Sequence, residues 1–353
     1  MQKRMSLRLK RLIGIGLFGL LAGCSAILSF DNFTGKGGGT AGCPLKTWPP
    51  RPTTAPGGTN DGIIGVTRSM RITSASGSAI GFDLDGLCTC PDKGSCKNAK
   101  AAAPACDIAG GGIDNSAGAF LGAFQVKDSD LEDGLKKGRH GIAVRVDRYN
   151  GLANDPDVTV TLYNVVGVDG KLDGTGVAKL DGTDTFTVDK ASTGGPELLA
   201  RFVAVDAYVA GGVLVAPLDF DLRFVNVQPQ LGALSIVEAM KNVRLVGKID
   251  DARNGKLTMK EALLVGRIPV STMFARAATA SSCSDAGLYP QFVEAVCGSL
   301  DLPTEEADDG KDKPCDALSF AMKLEIGPGN LAPESAASPL DQAPCEAVPR
   351  ACK

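Results

Sequence analysis

Apolar and polar residues alternate along much of the middle of this chain. The clearest run is Leu218–Phe224, in which leucine and phenylalanine alternate with two aspartates and an arginine. Residues 142–147, 158–162 and 318–326 repeat the same period of two. Because successive side chains of a strand point to opposite faces, these runs predict β-strands with one buried face and one polar face.

Glycine pairs and a few helix signals lie between the strands. Gly211-Gly212 separates two strand-like runs, which is typical of a β-hairpin. Apolar residues three or four apart follow capping residues within 115–137, and Pro269 stands where a helix would begin. We therefore expect short helices within 115–137 and 269–299.

The fold class follows from these elements. Many short antiparallel strands with few helices indicate a mainly β protein, and we expect an antiparallel β-sandwich of the jelly-roll type. The pattern resembles that of concanavalin-like and laminin-G-like sandwiches. The expected body spans residues 61–326, and an irregular tail that contains cysteines follows at 327–353.

The start of the chain has a different composition. Five basic residues and no acid precede Leu12–Leu21, which is apolar apart from glycine. This run is too short for a permanent transmembrane helix, which needs about 20 residues. A basic start, a short apolar segment and small residues before a cut site are the features of a processed export signal.

The four residues at 21–24, Leu-Ala-Gly-Cys, resemble the lipobox of bacterial lipoproteins. The resemblance implies that residues 1–23 are a signal peptide, that cleavage falls before Cys24 and that Cys24 carries acyl chains. Each buried CH2 contributes about 0.8 kcal/mol and one chain binds only marginally, so several chains make a stable anchor. Ser25 resembles the class that is sorted to the outer membrane, with the body facing either the periplasm or the cell surface. An ordinary secretory signal with a chance cysteine is the alternative.

Residues 24–60 are expected to form the acylated start and a flexible tether. Glycines near residue 37 favour flexibility, and the prolines that follow favour an extended, stiffer chain. Trp48 is the only tryptophan of the protein and lies in this arm. Docking of Trp48 on the body is the favoured interpretation, and contact with a partner is the alternative.

The charge of the processed chain limits its partners. Removal of residues 1–23 takes away five positive charges, so the formal net charge falls from −3 to −8. An acidic body argues against nucleic acid as a partner, because phosphate backbones bind basic surfaces. The expected partners are the membrane, through the lipid anchor, and a glycan or another envelope protein.

Ten cysteines remain besides the acylated one, an even number that is typical of disulfides in an oxidising compartment. Five precede residue 107, five follow residue 282, and none lies between. Because five is odd, complete pairing requires at least one bridge between the two groups, which would bring both ends of the body together. The disulfide candidates are Cys43, Cys88, Cys90, Cys96, Cys106, Cys283, Cys297, Cys315, Cys345 and Cys352.

Connectivity is not fixed by this count. Local bridges among the four cysteines at 88–106, and one between Cys283 and Cys297, are the favoured pairs. The four thiols at 88–106 would also suit a zinc or iron–sulfur site, but their spacing fits no common ligand pattern.

Catalytic signals are few. His140 is the only histidine, so a nucleophile with a histidine base would have to use it, and its basic surroundings predict a surface turn. Asp219 and Asp221 share one face of a strand, which is typical of a solvated sheet face, and no glycosidase-like run of acids occurs. The expected function is non-enzymatic, either binding or envelope structure. A sandwich-type enzyme that degrades glycans is the alternative.

Residues 250–261 resemble the twelve-residue EF-hand calcium loop, which would make calcium the one expected cofactor. Ala252 departs from this pattern, since a side-chain oxygen is expected there. A hairpin with a turn at Asn254-Gly255 is the favoured interpretation, and the calcium loop is the alternative. Calcium binding would make the protein a calcium-dependent adhesion module, which is a third functional hypothesis. The expected ligands are Asp250, Asn254, Lys256 through its carbonyl, Thr258 and Glu261.

Overall fold

The structure is a computed structural model. It describes residues 47–54, 58–72, 80–87, 94–98, 112–123, 126–172, 174–194, 200–224, 236–277, 288–333, 336 and 352. The signal segment, Cys24 and the first part of the arm lie outside the described residues, as do Cys43, Cys88, Cys90, Cys106, Cys283 and Cys345.

Strands dominate the described part of the chain, and four short α-helices occur in two connections between them. In chain order the elements are β1 (Ile63–Arg71), α1 (Ser116–Ala123), α2 (Asp128–Lys136), β2 (Ile142–Asp147), β3 (Asp155–Val168), β4 (Thr185–Val188), β5 (Phe202–Ala210), β6 (Val213–Phe224), β7 (Ile236–Lys248), β8 (Met259–Pro269), α3 (Val270–Ala277), α4 (Leu288–Ser299), β9 (Ala317–Pro328) and β10 (Asn330–Leu331). The helices lie within 115–137 and 269–299, where the sequence placed them.

The sheet closes on itself. Its strand order is β10-β4-β3-β2-β1-β9-β8-β7-β6-β5, and β5 also pairs with β3. Eight antiparallel strands, β1–β3 and β5–β9, therefore form a closed barrel in which each pairs with the barrel strands that precede and follow it in the chain. β4 and β10 extend the sheet beyond β3, so residues 330–331 form a strand and not the irregular tail that was expected.

The predicted β-sandwich is wrong, and the pairing of the first and last barrel strands shows why. Residues 65–71 of β1 pair with residues 323–328 of β9. A sandwich has two sheets with free edges, whereas this pairing and the β3–β5 pairing leave the barrel with none. A period of two predicts one buried face for each strand, and that holds equally for a sandwich and a barrel.

Apolar side chains fill the barrel. Large residues from several strands point inward and are fully buried, among them Leu162, Phe220, Met322 and Phe320. Phe202 and Phe220 meet edge to face, with 5.1 Å between ring centroids. All four helices add side chains to the same core, so the described side chains pack the interior.

Two smaller apolar clusters lie on the outside of the barrel wall. One covers β5–β9 and includes Tyr208, Val215 and Val265, with Phe82 and Trp48 packed on it. The other covers β1–β3 beneath β4 and β10. Trp48 thus docks on the body, as the sequence analysis favoured.

Disulfides join parts of the chain that are far apart in sequence. Cys96 bonds to Cys315 across 219 residues, so the predicted bridge between the two cysteine groups is confirmed. Cys297 bonds to Cys352, so the favoured Cys283–Cys297 pair is wrong, as is a local partner for Cys96. Spacing alone favoured local partners, but barrel closure brings distant segments together. Among the described residues, no helix is long and apolar enough to cross a membrane.

Candidate functional site

Several buried acids surround one arginine where residues 80–87 cross the outside of β8 and β9. We call this group the acidic layer and define it as Asp83, Asp85, Asp114, Asp301, Asp309 and Arg267. Phe82 is fully buried in the outer cluster and fixes residues 80–87 against the wall. The backbone N–H of Asp114 donates to the carbonyl of Phe82 at 3.0 Å, which ties the segment before α1 to the same place.

Three carboxylates of the layer converge. One oxygen each of Asp83, Asp85 and Asp114 lies within 4.8 Å of the other two. Backbone N–H groups orient them, since Leu84 donates to Asp114 at 2.6 Å and Gly86 donates to Asp83 at 2.6 Å. Asp83 and Asp114 are only 2% and 4% exposed. Carboxylate oxygens gathered in this way suit a hard cation such as calcium.

Arg267 is the cation of the layer and is fully buried on β8. Its two terminal nitrogens donate to Asp309 at 2.7 and 2.6 Å and to the carbonyls of Pro303 and Leu84 at 2.8 and 3.0 Å. Burial acts to lower the pKa of Arg267, but the hydrogen bonds and charge of Asp309 outweigh it and raise that pKa. Burial also raises the pKa of Asp309 against the opposing effect of Arg267. Two short bonds to one guanidinium are the geometry of an ionised pair.

Asp301 links α1 to β9 inside the layer. Its carboxylate accepts hydrogen bonds from the Ser116 hydroxyl at 2.7 Å, from the Ser319 N–H at 2.8 Å and from the Ser319 hydroxyl. Burial raises the pKa of Asp301 to about 6, although these bonds act in the opposite direction. Desolvation therefore dominates this carboxyl.

Residues 250–261 form a β-hairpin, which is the interpretation that the sequence favoured. Asn254 and Gly255 adopt left-handed φ angles of 55° and 70°, and Asp251 and Thr258 form a bridge between the flanking segments. Asp250 accepts from the N–H of Lys260 at 2.7 Å, whereas Glu261 pairs with Lys323 on β9 at 3.3 Å. The two carboxylates of the hairpin thus have separate partners.

The prediction that His140 lies at the surface is wrong. The ring is 1% exposed and its Nε2 lies 2.8 Å from the carbonyl of Leu131. It meets Phe224 edge to face, with 5.4 Å between ring centroids. Lys137 and Arg139 made the segment look exposed, but the absence of a side chain at Gly134 leaves space for the ring against α2.

Asp219 and Asp221 pair with Lys241 and Arg201, at 2.7 and 3.5 Å. The acidic layer itself was not predicted from the sequence. Two signals could have indicated it: the short pattern Asp83-Leu84-Asp85-Gly86, which resembles part of a calcium loop, and the isolated charge of Arg267 in an apolar strand. The convergence of Asp114 with them depends on the fold.

No family model, no curated protein and no solved structure matches this chain.

Proposed function

We propose that this protein is a lipoprotein of a bacterial outer membrane, held by acyl chains on Cys24, and that its barrel is a non-enzymatic module for binding or for envelope structure. The lipobox-like residues at 21–24 support the anchor. The expected partners are the membrane and, on the exposed loops, a glycan or another envelope protein.

The filled barrel is the observation that carries the scaffold role. Inward side chains such as Phe220 and Phe320 are fully buried, and α1, α3 and α4 pack onto the same core. A barrel of eight strands that is filled in this way presents ligands only with its outer surface and loops. The Cys96–Cys315 bond further braces the scaffold on which those loops are held.

A glycan-degrading enzyme is supported less well. Glycoside hydrolysis needs two carboxyl groups that flank the scissile glycosidic bond, so the sugar must be able to reach both of them. The acids that converge in the described part of the structure include Asp83 and Asp114, and both are buried beneath the chain. A sugar could not reach this pair without displacement of residues 80–87.

The anchor is tested by comparing the wild-type chain with Cys24→Ala in a bacterial host. We expect the wild type to sediment with outer membranes, with the mass of residues 24–353 plus acyl chains. Cys24→Ala should leave the membrane fraction and carry no lipid. A wild-type chain that is found unprocessed in the cytosol would overturn the proposal. A glycan array probed with the full processed chain then tests the binding role.

The calcium-dependent module is a second candidate, and it now depends on Asp83, Asp85 and Asp114. The convergence of these three carboxylates is the observation that favours it. We expect millimolar calcium to raise the melting temperature of the full chain and a chelator to lower it, and Asp85→Asn to abolish both shifts. Glu261→Gln is the matched control, because the hairpin residues are not part of this cluster. Identical melting curves in calcium and chelator would exclude the module.

A further inference from the structure

Residues 47–54 lie along the outside of the barrel, and we call this segment the strap. Trp48 packs on the outer cluster, with its ring edge against Phe82 at 5.9 Å between centroids. The Arg244 guanidinium lies 4.1 Å from the centre of the Trp48 ring and also bonds to Glu306 at 2.8 Å. One end of the strap is thus held by an aromatic and cation–π contact.

Arg51 holds the middle of the strap. Its guanidinium donates to the carbonyl of Pro156 at 2.9 Å and to the carbonyl of Asp206, and it lies 5.1 Å from the centre of the Tyr208 ring. The Tyr208 hydroxyl in turn donates to the carbonyl of Pro49 at 2.6 Å. Hydrogen bonds are therefore donated both from the strap to the barrel and from the barrel to the strap.

The two carbonyls that Arg51 binds lie at an irregular place in the wall. β3 and β5 pair with register shifts between Asp155 and Val158 and between Val158 and Val160. Pro156 has no N–H to give, and neither Pro156 nor Asp206 is a ladder partner. A bulge leaves backbone groups without their ladder partners, and a guanidinium can supply several donors at once. Arg51 therefore donates to two carbonyls at the place where the β3–β5 register is irregular.

We propose that the strap completes the barrel wall at the β3–β5 bulge and fixes the point at which the lipid-anchored arm leaves the barrel. With the strap docked, the tether ends at Trp48, which lies beside Arg244 of β7. With the strap released, the tether extends to the start of β1, and each added residue gives up to about 3.3–3.6 Å of reach. The tether part of this inference depends on the proposed anchor at Cys24, whereas the docking part does not.

Trp48 makes the test direct, because it is the only tryptophan in the chain. The full acylated protein is placed in phosphatidylcholine vesicles, and acrylamide quenching of the fluorescence is measured. We expect wild-type Trp48 to be several-fold less accessible than in denatured protein. Arg51→Ala should raise its accessibility towards the denatured value and shift the emission to the red. Arg253→Ala is the matched control, since Arg253 is exposed at a turn and bonds to Asp251.

Hydrogen exchange tests the completion of the wall. Loss of a charged hydrogen bond should reduce amide protection in β3 and β5 about tenfold in Arg51→Ala and leave β8 and β9 unchanged. Tyr208→Phe removes only the bond to Pro49 and should give a smaller change in the same direction, which keeps the test decisive if Arg51→Ala misfolds. Wild-type Trp48 as accessible as in denatured protein, or unchanged exchange in both variants, would overturn the proposal.

The proposed anchor and the proposed docking of the strap can be contradicted independently of each other. Cys24→Ala should leave the membrane yet keep Trp48 shielded. Retention of Cys24→Ala in the membrane would contradict the proposed anchor and the tether role, and shielded Trp48 in that variant would still support docking.

Discussion

Single residues show how this protein buries charge. Arg267 makes four hydrogen bonds, and Asp301 accepts from two serines. On the other side of the barrel, Arg223 pairs with Asp189 at 2.9 Å, with both side chains buried. A charge taken out of water is tolerated only when its partners replace the lost hydration. The effect of each substitution therefore depends on which hydrogen-bond partners remain for the groups that the replaced side chain contacted.

Asp301 should make the stability of the fold depend on pH. Its pKa is about 6 in the folded protein against an ordinary 3.8, so the unfolded chain ionises first as the pH rises. The contribution of this carboxyl to stability is fully present below pH 4 and is lost through pH 6. A shift of about 2 units corresponds to about 3 kcal/mol. Between pH 4 and pH 7, we expect the free energy of unfolding of Asp301→Asn to rise by about 3 kcal/mol relative to that of wild type, measured by chemical denaturation.

Asp312→Asn is the control for this pH profile. Asp312 pairs with Lys97 and both side chains are largely exposed, so its substitution should leave the pH dependence close to that of wild type. Parallel profiles for Asp301→Asn and wild type would contradict the assigned role of burial.

Removal of the charge of Arg267 should be among the most damaging substitutions. Arg267→Met leaves Asp309 without its partner and two carbonyls without donors, and we expect a loss of about 3–5 kcal/mol in the free energy of unfolding. Arg148→Met breaks the exposed pair with Asp157 and should cost under about 1 kcal/mol. Similar losses for the two variants, measured by denaturant unfolding, would show that the buried pair contributes no more than a surface pair.

At the level of elements, close packing explains one glycine that a helix would otherwise disfavour. Gly134 lies in the last turn of α2, and a Cβ placed there would come 2.1 Å from Cε1 of His140. Gly122 lies in α1 with nothing within 4 Å of such a Cβ. Both positions are helical, but only Gly134 has another side chain packed against it.

Alanine at these positions should therefore act in opposite directions. Gly122→Ala should stabilise the fold by up to about 0.5–1 kcal/mol, because alanine loses less backbone freedom in a helix. Gly134→Ala should destabilise it by about 1–3 kcal/mol, because the His140 ring must move. Thermal unfolding of both variants checks this. Stabilisation by both would mean that His140 does not pack against α2.

Local sequence patterns predicted most of the strands and helices but few of the contacts between them. Alternation placed β2, β6 and β9, and the Gly211-Gly212 pair marked the β5–β6 turn, because strand period and turn chemistry depend on neighbours in sequence. The burial of His140 and the convergence of Asp114 with Asp83 depend on contacts between elements. Such contacts leave no periodic signal in a single sequence.

For the whole molecule, closure of the barrel was the feature that the sequence could not distinguish from a sandwich. The parity of the cysteines nevertheless predicted that the two ends of the body meet, and the Cys96–Cys315 bond and the β1–β9 pairing both show this. Parity is informative because an odd number of cysteines in each group requires a bridge between the groups, whatever the local conformation. The bond spans a stretch that contains six of the eight barrel strands, β2, β3 and β5–β8, so it constrains most of the meander.

The two described disulfides should therefore differ in their effect on stability. In the chain-entropy model, loss of the Cys96–Cys315 bond, which spans 219 residues, costs about 5 kcal/mol, against about 4 kcal/mol for the Cys297–Cys352 bond, which spans 55. We expect the double variant Cys96→Ser with Cys315→Ser to unfold at lower denaturant than Cys297→Ser with Cys352→Ser. Alkylation without reduction should label none of these four thiols in wild type. Labelling of Cys96 or Cys315 there, or equal stability of wild type and the first double variant, would mean that barrel closure rests on the β1–β9 ladder without covalent support.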